Sequence, residues 1–350
     1  MRKMRLFGML CLCVVWVGWM ARAEAESTGG EPAYRTFGRY NRFEPSAVAL
    51  WPGTSYVVVL NDRSKWTSPI SVFKLSKKGR LKEIARPVVV IKGKPLDISK
   101  FEGITASQKT PGVFYATTAY DRPVPSFRIM VRFELQAKAK GKKGKKVSIQ
   151  IKSARVIKLR DPAGVIKGKY NMPWYKIEAL ALTPEEDALV VGVRAYGESY
   201  KKPQFRVLLL RYALNRVDRD PVVLAHIDLK GLLGREEGIA ALEYLPERKQ
   251  YLLVTSYEND DASPPTAQVG GHLWLVSTDL AALNQVETWK KAWRQKVSHK
   301  PEGVTPLAGG KILVVYDDDN DRKAKGKDKP GTFPMQANEA AYSILTLPAK

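Results

Sequence analysis

Five times along the chain a glutamate opens a short run of small and apolar residues, and a β-rich stretch follows it. The copies are Glu44-Pro-Ser-Ala-Val-Ala-Leu, Glu102-Gly-Ile-Thr-Ala, Glu178-Ala-Leu-Ala-Leu, Glu237-Gly-Ile-Ala-Ala-Leu and Glu302-Gly-Val-Thr-Pro-Leu. Their glutamates are 58, 76, 59 and 65 residues apart. Self-similarity at a near-constant period marks a chain built from one supersecondary unit, which buries its apolar face by stacking on its neighbours.

Inside each unit the pattern is that of strands. Runs rich in β-branched and aromatic residues follow each glutamate: Ser55 to Leu60 and Ile70 to Leu75, Val113 to Thr118 and Phe127 to Phe133, Ala188 to Val193 and Arg206 to Tyr212, Gln250 to Thr255 and His272 to Ser277, and Lys311 to Tyr316. Turn residues such as Trp51-Pro-Gly, Thr110-Pro-Gly and Ala308-Gly-Gly bound them. A helical period extends beyond about two turns only over Gln285 to Gln295. Fourth strands are expected at Ala85 to Ile91, Val147 to Leu159 and Val222 to Leu229. Four strands per unit predict an all-β fold, a β-propeller of five four-stranded blades. The last unit is completed by Ala341 to Leu347 and by residues near Tyr34 to Phe37, so that both chain ends close the ring and leave no sheet edge. A sixth blade in the longest gap and an open array of sandwiches are the alternatives, because the spacing exceeds the ~40–45 residues of compact propeller repeats.

The small residues after the glutamates have a packing reason. Blades converge like wedges on the axis, and the innermost strand has the least room. Gly103, Ala179, Gly238 and Gly303 fall on one side of their strands, with Ile104, Leu180, Ile239 and Val304 on the other.

The amino terminus has a different character. Arg2, Lys3 and Arg5 precede an apolar stretch from Leu6 to Met20 and the small-x-small sequence Ala21-Arg22-Ala23. This is the layout of a secretory signal peptide. The apolar stretch is too short to span a bilayer comfortably, and no later segment is long and apolar enough to do so. The expected organisation is a signal peptide over 1–23 and one propeller domain over 24–350, in a periplasmic or secreted monomer. Cys11 and Cys13 both lie in the leader, so the mature chain would rely on its core without disulfides.

The formal charge is +23. Arg2, Lys3, Arg5 and Arg22 account for four of these charges and leave +19 on the mature chain. Such a surplus favours solubility and anionic partners, either an anionic small molecule or an envelope polymer. Nucleic acid is not expected for an exported chain. Lysine-rich runs near 138–146 and 323–329 read as solvated loops with too few apolar residues to pack.

Strand order sorts the charges by face. The glutamates should share a face with the ends of the second strands: Asn61-Asp62-Arg63, Tyr120-Asp121-Arg122, Arg194, Glu258 to Asp261 and Asp317 to Asp321. The turns after the third strands, Lys74 to Lys82 and Lys138 to Lys146, go to the opposite face. A mixed acidic and arginine mouth and a basic rear follow. Clustered carboxylate oxygens suit a hard cation, above all Ca²⁺; the competing reading has each glutamate paired with an arginine or capping the backbone. His226, His272 and His299 have no zinc spacing, and no nucleophile elbow or P-loop is present. Trp174-Tyr175, Trp289 and Trp293 read as packing residues.

Ile177-Glu-Ala-Leu-Ala-Leu-Thr-Pro-Glu-Glu-Asp-Ala-Leu-Val-Val-Gly-Val-Arg194 and Pro301-Glu-Gly-Val-Thr-Pro-Leu-Ala-Gly-Gly-Lys-Ile-Leu-Val-Val-Tyr-Asp-Asp318 resemble exported bacterial propellers of the esterase-like phytase group. They are similar as well to an uncharacterised propeller family with the same Glu-Gly signature. The resemblance implies the fold first, and a phosphoester or calcium connection second. The expected role is a binding scaffold for an anionic ligand or cell-envelope partner. The alternative is a Ca-dependent phosphoesterase, with Glu102, Glu237, Glu302, Asp317 and Asp318 on the metal and Arg63, Arg122 and Arg194 clamping phosphate. No sequence motif assigns a catalytic residue.

Overall fold

The computed structural model describes residues 32–37, 44–62, 69–140, 146–258, 269–317 and 340–349. The expected signal peptide, Arg63, Asp318, the centre of the first lysine-rich loop and the whole of the second lie outside them.

Five antiparallel four-stranded sheets form the blades of a β-propeller. Their innermost strands are Pro45–Leu50, Phe101–Ala106, Trp174–Leu182, Gly238–Leu245 and Pro301–Leu307. Each packs on the next, and the fifth packs on the first, so the ring is closed. Five apolar clusters fill the wedges between adjacent blades. Ala47, Phe101, Phe114 and Phe133 belong to the first wedge, and Val48, Val57, Leu313 and Tyr342 to the last. Non-directional burial of this kind is what a repeated unit gains by stacking.

Both chain ends complete the fifth blade. Tyr34–Phe37 pairs antiparallel with Ala340–Thr346, which pairs with Lys311–Tyr316. Arg35 Nη1 also donates to the carbonyls of Lys78 (2.8 Å) and Gly79 (2.7 Å) in the first blade.

There are five blades and not six. The 76-residue gap is taken up by a long hairpin, Met130–Lys140 with Lys146–Ile157, and by the helix Ala163–Tyr170. Two expected elements shift. The fourth strand of blade 1 is Leu81–Ala85, and Val90–Ile91 instead pairs with Lys94–Pro95 in a separate small hairpin. The helix expected over Gln285 to Gln295 spans only Val286–Lys291, because Trp293–Val297 is the fourth strand of blade 4. That strand was hidden by its three consecutive polar residues, Arg294, Gln295 and Lys296.

Crowding at the axis accounts for the small residues. A Cβ on Gly238 would lie 2.3 Å from Arg194 O, one on Gly303 2.8 Å from Val48 N, and one on Gly103 3.0 Å from Leu180 Cβ. Blade 3 has Ala179 at this position. The glycine is moved to its cross-strand partner Gly192, where a Cβ would lie 2.6 Å from Ala179 Cβ.

Candidate functional site: the charged axial mouth

The inner strands carry β-bulges. Register skips Glu102 between Phe101 and Gly103, Glu178 between Ile177 and Ala179, and Glu302 between Pro301 and Gly303. A bulge re-aims the side chain it displaces, and these three glutamates form one buried ion-pair network. In blade 4 the bulge falls at Ala240 instead. Glu237 accordingly turns into its own blade. It accepts from Thr255 Oγ1 (2.6 Å) and lies 3.0 Å from His272 Nδ1 and 2.9 Å from Arg235 Nε. The five glutamates are therefore not equivalent.

The network runs around the axis. Lys100 Nζ lies 3.7 Å from Glu102 and 3.1 Å from Asp121. Lys176 joins Glu102 (3.2 Å) to Glu178. Arg194 Nη1 donates to both oxygens of Glu178, at 2.8 and 2.7 Å, and its Nη2 is 3.6 Å from Glu258. Lys300 joins Glu258 (3.0 Å) to Glu302 (2.9 Å). Asp317 is buried beside them, its N–H donating to Lys300 O at 3.1 Å.

Burial and charge set these glutamates apart. Burial pushes the Glu102 carboxyl well above its ordinary value; Lys176 opposes this and Asp62 adds to it. Burial likewise pushes Glu302 up to about 7 against the pull of Lys300. Glu178 is buried as deeply, but Arg194 and Lys176 outweigh that and hold it down at about 2. Burial works against the charge of Lys176, yet Glu102 and Glu178 keep its pKa raised.

Above the network opens a cleft of about 800 Å³. Its lining includes Lys100, Arg122, Lys176 and Arg194, against three carboxylates, Asp121, Glu198 and Glu258. Trp174, Tyr200 and Phe205 add apolar surface. Trp174 is thus a cleft residue as well as a packing one, held by its Nε1 donating to Asp121 O at 3.0 Å. Arg122 is exposed and lies over the Phe127 ring at 5.0 Å. Arg194 is 2% exposed, stacks 5.3 Å from the Phe205 ring, and its Nε and Nη2 make no hydrogen bond.

Of the residues expected to bind a ligand, the cleft brings Arg122 and Arg194 together. Of the proposed calcium ligands, Asp318 lies outside the described residues, and Glu102, Glu237, Glu302 and Asp317 form no group of three. Among the described residues no three His, Cys, Asp or Glu side chains are placed to hold a metal ion. The reason is electrostatic: Glu102 and Glu302 face lysines, and Glu237 faces Arg235 and His272. These carboxylates do not fit a calcium site.

Sequence reasoning overlooked the cations. Lys100, Lys176, Arg235 and Lys300 each stand two residues before their glutamate, as does Arg42 in the first copy. In the four copies whose cation is among the described residues it reaches its own glutamate, Lys100–Glu102 at 3.7 Å, Arg235–Glu237 and Lys300–Glu302 at 2.9 Å, and Lys176–Glu178, so the repeat is better written as basic-x-Glu.

No family model and no curated protein matches the sequence. Among solved structures, a luciferin-regenerating enzyme is 11% identical, with TM-score 0.41, covering 90% of this chain and 96% of that one. The periplasmic gluconolactonase of Pseudomonas aeruginosa is 9% identical, with TM-score 0.40, covering 79% and 82%. The Dos1 propeller is 10% identical, with TM-score 0.31, covering 82% and 69%.

Proposed function

We propose that this chain is an exported binding propeller whose axial mouth takes a ligand with an anionic group on a partly apolar body. The observation that carries the reading is Arg194. It lines the cleft, its Nε makes no hydrogen bond, and its Nη2 has only the longer ion pair to Glu258 at 3.6 Å; such donors match a carboxylate or phosphate oxygen. Lys100 and Arg122 stand beside it, and Trp174, Tyr200 and Phe205 suit the body of the ligand. The leader-like amino terminus supports export to an envelope where anionic polymers are met.

The calcium-dependent phosphoesterase is the weaker reading. Three of its metal ligands, Glu102, Glu237 and Glu302, are paired with cations, and the two network carboxyls with raised pKa, Glu102 and Glu302, do not line the cleft.

Titration calorimetry with tetragalacturonate, its methyl-esterified neutral form and inositol hexakisphosphate tests the proposal. Binding of either anion, lost with the neutral form and weakened about tenfold by Arg122→Gln or by raising salt, is the expected result. Equal binding of the charged and esterified tetramers overturns it. Calcium-dependent release of phosphate from inositol hexakisphosphate would restore the enzymatic reading.

A further inference from the structure

We infer that the opposite mouth of the ring is a second ligand site, which takes a small, uncharged, largely apolar molecule whose oxygen accepts a hydrogen bond from Glu243.

Glu243 is an acidic residue inside an apolar inner strand, Gly238–Leu245. The ring carries it across the axis to Thr105 of blade 2, whose side chain hydrogen-bonds to its carboxyl. It is 4% exposed, and its Oε2 makes no hydrogen bond. Burial dominates its surroundings, with Thr105 opposing only in part, so its pKa is raised well above the ordinary value. Burial thus favours the neutral form of the carboxyl, which has one O–H to donate.

That carboxyl lines a cavity of about 410 Å³. The walls are built by the last residues of the inner strands, Leu50, Leu245, Pro306 and Leu307, with Leu347 from the carboxy-terminal end. Between this mouth and the charged one the inner strands leave only about 10 Å³, room for one water molecule. The two sites are thus separate.

The chemistry favours a neutral occupant. An ammonium ligand would have to ionise Glu243 against its burial, and the cavity lining carries two cations, Arg248 and Lys311, against one other carboxylate, Glu247. A carbonyl or ether oxygen meets neither obstacle, and it partners a buried polar group that is otherwise costly to leave unpaired.

The mature chain, labelled at leucine methyls, is titrated with cyclohexanone and with cyclohexylamine, its matched cation at neutral pH. Cyclohexanone should shift the Leu50, Leu245, Leu307 and Leu347 signals saturably, while cyclohexylamine should not. Glu243→Gln should bind cyclohexanone within about threefold of wild type, because its amide still donates, and Glu243→Leu about tenfold more weakly. Unsaturable shifts with cyclohexanone, tighter binding of the amine, or loss of binding in a folded Glu243→Gln variant would each overturn the proposal.

Discussion

Glu178 and Arg194 meet because each occupies a break in strand register. The inner strand of blade 3 skips Glu178 between Ile177 and Ala179, and the second strand skips Arg194 between Val193 and Ala195. The displaced side chains close on each other with both almost wholly buried. Leaving one charge buried without its partner costs far more than the pair contributes. Glu178→Gln should therefore lower unfolding free energy by about 3–5 kcal/mol in urea denaturation. A loss no larger than that of an exposed pair such as Lys202–Glu198 would show that the network is solvated.

The network predicts a stability maximum in mildly acid solution. Glu178, held down at about 2 against an ordinary 4.5, contributes stability that is present above pH 4.5 and lost as pH falls towards 2. Glu302 acts in the opposite sense. Its folded pKa of about 7 exceeds 4.5, so the folded state binds the extra proton, and stability falls as pH rises from 4.5 to 7. Melting temperatures between pH 3 and pH 8 should show both limbs. Glu302→Gln should flatten the upper limb selectively.

Gly303→Ala should cost about 1–3 kcal/mol, because its Cβ would lie 2.8 Å from the backbone of the neighbouring blade. Gly168→Ala is the contrast. It lies in the helix Ala163–Tyr170 with no atom within 4 Å of the new Cβ, and should be neutral or stabilise by up to about 1 kcal/mol. Parallel thermal melts of the two variants separate axial crowding from glycine's general effect on the unfolded chain.

Ring closure can be tested by starting the chain at Gly38 instead of Glu24. This removes Tyr34–Phe37, bares the edge of Ala340–Thr346, and takes away Phe37, which packs edge-on against Phe73 and Tyr342. Loss of that buried ring alone should cost about 3–5 kcal/mol. The exposed edge should also produce concentration-dependent association in light scattering.

The blades were legible in the sequence to a degree that the site was not. Val113–Thr118 and Ile70–Leu75 match the strands read from the β-branched pattern. The fifth blade's union of Ala340–Thr346 with Tyr34–Phe37 follows from the need to hide an edge. Leu81–Ala85 was misplaced because its half-buried alternation is a weaker signal than the apolar run after it. Trp293–Val297 was lost to a helical period that ends at Lys291.

The repeated glutamates and the small residues that follow most of them determine by themselves that five similar strands crowd one axis. Periodicity and side-chain volume are local properties, and they survive in the linear order of residues. Which glutamate turns to the axis is not local. Glu102, Glu178 and Glu302 enter the network because a bulge falls on each, whereas the bulge at Ala240 leaves Glu237 facing His272. Nor does the sequence mark Glu243 as different from any other glutamate. Only closure of the ring sets it beside Thr105, and burial then raises its pKa well above the ordinary value.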